Sequence, residues 1–271
     1  MLAVRDERIA FERYAEGYDA QTPHALFSGT KSFWGVAAVA AAEDGIIDLD
    51  EPVGRTFPAW AQGERAAVTL RMLLQLTSGI GFGGLGASVP PYEKALDVPL
   101  KSAPGARFTY GGIPLQVFGA VLERRLEGRA PSAHEYLRAR ILEPIGMRVA
   151  SWRTLRDGRS PLPTGAFVTA HDWSLFGRLV RDRGTWRGAR IVGPASLAQC
   201  FEGSTANPRY GLCWWLSPLA GVPDLVYASG AGGQALYVIP SAATVVVKFG
   251  KSSSYRHETF LARLLGERAR T

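Results

Sequence analysis

Hydrophobic positions change their spacing twice along the chain. Leu2-Ala3-Val4 and Ile9-Ala10-Phe11-Glu12-Arg13-Tyr14 flank the polar Arg5-Asp6-Glu7-Arg8, which predicts a short hairpin at a sheet edge. An apolar run, Ser32 to Ala42, is stopped by Glu43-Asp44 and predicts a buried helix that begins near Ser28. Helical spacing then dominates. Thr69 predicts an N-cap for Val68–Leu76, and Leu115, Phe118, Val121, Leu122 and Leu126 form one face of a helix over Ile113–Leu126. Ser132 with Glu135 reads as a capping box for Ser132–Leu142, and Thr169 caps Ala170–Arg183. Arg153–Pro163 reads as a surface loop and Pro194–Phe201 as a short helix.

The C-terminal part returns to strand patterning. Tyr210–Leu216, Leu225–Ser229, Ala235–Ile239 and Thr244–Phe249 predict four strands of an antiparallel meander, covered by a helix over Tyr255–Ala269. The N-terminal hairpin has no other sheet to join, so it is expected to pair with this meander. The fold class is therefore α/β: an antiparallel β-sheet flanked by helices, with a largely helical inserted domain. Residues 1–44 and 208–271 are expected to form the sheet domain and 45–207 the helical one, with an active site in the cleft between.

At 271 residues, 46% hydrophobic and 20% charged, the composition is that of a globular protein. No apolar stretch is long enough to span a bilayer. The N-terminal residues lack a signal-peptide layout, which favours a cytoplasmic location. The net charge of +7 comes mostly from scattered arginines without a basic cluster, so nucleic acid is not an expected partner. Cys200 and Cys213 stand in apolar surroundings and read as buried thiols. His24, His134, His171 and His257 are dispersed, and neither a metal site nor any cofactor is expected.

The chemistry concentrates at Ser28-Gly29-Thr30-Lys31. Positions i and i+3 share a helix face, so the lysine amine can reach the serine hydroxyl. Free backbone N–H groups at a helix start can stabilise an oxyanion. Three other motifs fail. Gly79-Ile80-Gly81-Phe82-Gly83-Gly84 matches Gly-x-Gly-x-x-Gly but follows a helical segment and leads to Val89-Pro90-Pro91. Gly250-Lys251-Ser252 lacks the P-loop glycine five places earlier, where Val245 stands. No serine lies in Gly-x-Ser-x-Gly.

Beyond Ser28 and Lys31, several stretches resemble the serine β-lactamase-like, penicillin-recognising hydrolases. The branch most similar holds class C β-lactamases, family VIII esterases, D-amino-acid peptidases and 6-aminohexanoate-dimer hydrolases. Ala25–Ser32 is similar to the first motif, Leu70-Arg71-Met72-Leu73-Leu74-Gln75-Leu76-Thr77-Ser78-Gly79 to the "LLxxTSG" helix end, and Phe108-Thr109-Tyr110 followed by Gly111-Gly112 to the Tyr-x-Asn motif. Ser229-Gly230-Ala231-Gly232 resembles the strand-borne third motif, found elsewhere as Lys-Thr-Gly or His-x-Gly. The resemblance covers nearly the whole chain and implies a β-lactamase/transpeptidase-like fold.

It also implies a serine hydrolase acting on small acyl esters or amides. Ser28 would be the nucleophile, Lys31 its base and Tyr110 a proton shuttle, with the division of labour between the last two left open. The backbone N–H groups of Ser28 and Ala231 would form the oxyanion hole, with Ser229, Gly230 and Gly232 at the substrate. Trp34, Tyr92, Gly112, Trp152 and Trp214 are candidate pocket residues. Two departures narrow the expectation: Gly112 stands at the Asn position, and Ala228 where a Lys or His would bind a β-lactam carboxylate. An esterase is therefore favoured; the alternatives are an acyltransferase, a β-lactamase, or a non-catalytic ligand-binding homologue.

Overall fold

The computed structural model describes residues 1–81, 89–252 and 254–266. The Gly-x-Gly-x-x-Gly match of the sequence extends past residue 81 and lies partly outside the described residues. Two strands open the chain, β1 (Leu2–Arg5) and β2 (Arg8–Glu12), and β3 (His24–Ala25) follows. Helix α1 (Lys31–Glu43) is succeeded by α2 (Leu70–Leu74), α3 (Tyr92–Leu96), α4 (Ile113–Leu126) and α5 (Ala133–Leu137). Then come β4 (Ser151–Trp152), β5 (Ala166–Val168), α6 (Ala170–Arg181), the small hairpin β6 (Thr185–Trp186) and β7 (Ala189–Arg190), and α7 (Pro194–Ala198). The chain closes with β8 (Trp215–Leu216), β9 (Val226–Gly230), β10 (Gln234–Ile239), β11 (Thr244–Lys248) and α8 (His257–Leu265).

The main sheet has the order β2-β1-β11-β10-β9-β8, and every neighbouring pair is antiparallel. The first hairpin joins the last meander, as its isolation in the sequence requires: Ala3 pairs with Val246. The hairpin turn holds Asp6 and Glu7 at φ of 46° and 66°, unusual for non-glycine residues. Glu7 then clamps α6 through Arg178 and Arg181.

Burial explains the strand compositions. All six residues of β10 are buried, so the strand is apolar rather than alternating. On one face α6 crosses β10, β11 and β1. Gly177 permits this approach, since a Cβ there would collide with Val245 and Leu236. On the other face α8 brings Leu261 against Tyr237, Ile239 and Val246. Helix α1 is buried from Lys31 to Ala41. Its alanines keep it slim, so it can run through the interior rather than across the surface.

Caps form where side-chain chemistry demands them. Thr69, Ser132 and Thr169 accept from the N–H groups of Met72, Glu135 and Asp172. The expected Ser132–Leu142 helix widens into a π-turn over Arg138–Leu142. Tyr210–Leu216 is not one strand. Cys213 takes φ of +63°, Gly211 N–H donates to Trp214 O, and Tyr210 bridges back to Trp215. A tight turn results, and only Trp215–Leu216 joins the sheet. The small sheet β3-β5-β4 was not legible, because its strands are two or three residues long. Among the described residues no helix is long and apolar enough to cross a membrane. Cys200 and Cys213 are both free and buried.

Candidate active site

Ser28 sits in a single 3₁₀ turn, Phe27–Thr30, that feeds directly into α1. Phe27 before it has φ of +48° and is exposed, a strained conformation for a bulky residue. Strand β9 packs on this turn. Gly230 makes that contact possible: a Cβ would collide with the Leu26 carbonyl oxygen.

Lys31 Nζ donates to Ser28 Oγ at 2.9 Å and to Pro163 O at 3.3 Å. The i,i+3 spacing therefore places amine and hydroxyl in direct contact. Lys31 is 2% exposed, and burial lowers its pKa from 10.5 to about 8. Cys213 nearby acts in the opposite direction. The chain next to Pro163 is anchored, since Leu162 N donates to the buried Gln116 at 2.9 Å.

Tyr110 brings its ring centroid within 4.8 Å of the Lys31 amine. Burial pushes its phenol up to about 12, with the Ser28 hydroxyl beside it pulling the other way. Trp215 stacks on Tyr110 at 5.7 Å between centroids. An open cavity of about 360 Å³ is lined by Ser28, Tyr110, Trp215, the stretch from Ser229 to Gly233, Ser252, Tyr255 and His257. The β9–β10 hairpin supplies its strand-side wall. Gly232 and Gly233, at φ of +77° and +83°, turn that hairpin tightly.

The geometry brings together Ser28, Lys31, Tyr110 and the Ser229–Gly232 stretch. It does not bring the expected aromatic pocket with them. Trp34 is fully buried against His134 and Trp152, and Trp152 itself packs on Phe33. Trp214 is fully buried between Phe176 and Phe201. Tyr92 is 1% exposed and donates to Ser160 O, at the rim of a different cavity. Gly112 is buried as the N-cap of α4. Trp215 is the indole that lines the cavity: the Cys213 turn buries one of the adjacent tryptophans and presents the other. Ala228 is 2% exposed within the main core.

Sequence reasoning also missed Tyr255 and His257. His257 Nε2 lies 2.9 Å from Ser229 Oγ, and its Nδ1 lies 2.7 Å from Tyr237 OH. Tyr237 OH is in turn 2.7 Å from Tyr255 OH. Gly233 allows Tyr255 to lie directly on the hairpin, where a Cβ would meet its ring. Only the fold joins these groups; no local spacing marks them.

A family model described as Beta-lactamase matches residues 1–268. The 6-aminohexanoate-dimer hydrolase of Paenarthrobacter ureafaciens is 24% identical over 287 aligned residues, covering 91% of this chain and 71% of that protein. Esterase EstB of Burkholderia gladioli is 28% identical over 162 residues, 51% of this chain and 40% of the esterase, so the match spans less than half of that relative's length. A solved structure from Bacteroides dorei superposes with a TM-score of 0.83 at 18% identity, covering 100% of this chain and 92% of that one.

Proposed function

The chain belongs to the beta-lactamase family, and from that premise we propose that it is a serine hydrolase cleaving small acyl esters or amides through an acyl-enzyme on Ser28, with esters preferred. The observation that carries this reading is the 2.9 Å contact between Ser28 Oγ and an amine buried enough to lose its proton near pH 8. Neutral Lys31 takes the hydroxyl proton as Ser28 attacks the carbonyl. The ammonium so formed faces the Tyr110 ring, which stabilises the cation. Tyr110 is protonated at neutral pH; it gives its hydroxyl proton to the leaving group and takes in its place the proton that Lys31 removed from Ser28. The backbone N–H groups of Ser28 and Ala231 face the oxyanion. Water then attacks the ester, and the same groups return the protons in reverse.

The buried Ala228 supports the preference for uncharged acyl groups, since a β-lactam carboxylate finds no cation there. The test is a panel of p-nitrophenyl esters, a linear amide and nitrocefin, with intact mass after a fluorophosphonate probe. Short-chain esters are expected to turn over, nitrocefin weakly or not at all, and Ser28→Ala to lose both turnover and adduct. An equal adduct on Ser28→Ala would overturn the Ser28 assignment. Nitrocefin turned over much faster than the esters would overturn the substrate preference.

A further inference from the structure

His257, Tyr237 and Tyr255 take no part in the acylation steps above, yet they form a continuous polar chain that begins and ends at the same cavity. Ser229 and Tyr255 both line it, and between them run three contacts of 2.9, 2.7 and 2.7 Å. We propose that His257 is a positioning residue that decides whether Ser229 or Tyr255 presents its hydroxyl hydrogen to the bound acyl substrate. The inference rests on the assignment of this cavity as the acylation site.

The reason is proton arithmetic. A neutral imidazole carries one N–H. If Nε2 holds it, His257 donates to Ser229 Oγ and Nδ1 accepts from Tyr237. Tyr237 then accepts from Tyr255, and the Ser229 hydrogen is left to point into the cavity. If Nδ1 holds the proton, every bond reverses: Ser229 donates to Nε2, Nδ1 donates to Tyr237, Tyr237 donates to Tyr255, and the Tyr255 hydrogen faces the cavity. Both arrangements contain the same protons and differ in the tautomer. Burial holds His257 at about pKa 4, with Lys248 acting in the same direction, so the imidazole is neutral at pH 7. A substrate carbonyl at Ser229 selects the first arrangement and leaves an acceptor oxygen at Tyr255. Among the described residues lining this cavity none carries a fixed charge. The class of substrate that fits is an uncharged ester or amide with an acceptor facing the hairpin and a donor facing Tyr255.

Two substitutions separate the ring nitrogens. The glutamine side chain puts its amide near the Nε2 position and keeps the Ser229 contact; asparagine puts it near Nδ1 and keeps only Tyr237. In His257→Asn, kcat/KM for p-nitrophenyl acetate is expected to fall about tenfold, the loss of one hydrogen bond, while His257→Gln stays within about threefold of the parent. Melting temperatures of the two variants should match, and Ser229→Ala should add little to His257→Asn. Equal activity of the Gln and Asn variants would overturn the proposal. Nitrogen-15 spectra of histidine-labelled protein test the contact without any turnover. Ser229→Ala is expected to shift the His257 Nε2 resonance, and an unchanged resonance would overturn the relay. Fluorophosphonate labelling run on each variant reports Ser28 separately: a wild type that fails to label refutes the nucleophile, and the spectra still decide the relay.

Discussion

Lys31 and His257 approach one cavity from opposite ends of the chain, and burial lowers the pKa of both. Lys31 enters from the first turn of α1, His257 from the first turn of α8. Lys31 meets one side-chain hydroxyl and one carbonyl, and its pKa stops at about 8. It can change charge under ordinary conditions. His257 is tied at both ring nitrogens and stays neutral down to about pH 4. The same desolvation thus leaves one group able to change charge near neutral pH and keeps the other neutral, able only to exchange tautomers. What differs is the starting pKa of each group, 10.5 for the amine and 6.5 for the imidazole.

The largest effect is expected where the comparison is broken outright. Lys31→Met removes the proposed base and should lower kcat/KM for esters by about 10³-fold or more. The same change should raise stability near neutral pH by on the order of 1 kcal/mol, because the fold no longer buries an ammonium. Chemical denaturation at pH 7 with parallel ester assays checks both. A variant that is less stable as well as inactive would mean that Lys31 supports the fold.

Gly230→Ala attacks the seam between the two sides. Its Cβ would collide with the Leu26 carbonyl, so β9 must shift away from the Ser28 turn. A loss of about 2 kcal/mol in stability and roughly tenfold or more in turnover is expected. Wild-type behaviour would show that the seam tolerates separation.

The smallest effect sharpens the contrast in titration. Ester kcat/KM should rise by roughly tenfold from pH 7 to 9, following loss of the Lys31 proton near pH 8. Stability should move in the same direction. Lys31 holds its proton less tightly in the fold than in the unfolded chain, so stability rises between about pH 8 and the ordinary lysine value of 10.5. Below pH 8 the full cost of the buried charge is present. A flat activity profile across this range would remove Lys31 as the titrating base.

The readability of the two sides differs as well. Ser28 and Lys31 are three residues apart, and helical periodicity alone brings them together. The hairpin, the three capping residues and the pairing of that hairpin with the last meander were also legible, because each follows from local chemistry or from the lack of another partner. His257, Tyr237 and Tyr255 carry no such mark. Their meeting depends on how α8 lies across β10, a tertiary choice made by Leu261 and Phe260 against Tyr237. The tryptophans mislead for a related reason. Large aromatic residues fill cores as readily as they line pockets. Which of Trp214 and Trp215 reaches the cavity was decided by a left-handed Cys213 that no periodicity foretells.

The pairing of β1 with β11 also sets a schedule. Ala3 and Val246 are neighbours in space but lie far apart in the order of synthesis. At roughly 5–20 residues per second, the first hairpin leaves the ribosome on the order of ten seconds or more before its partner strand exists. During that interval β1 has an open edge and an uncovered apolar face. Ser28 and Lys31 are already made, but β9, which braces their turn, is not. The nascent chain therefore carries Ser28 and Lys31 for most of its synthesis without the wall that completes the cavity, and assembly of the sheet is the event that closes the proposed site.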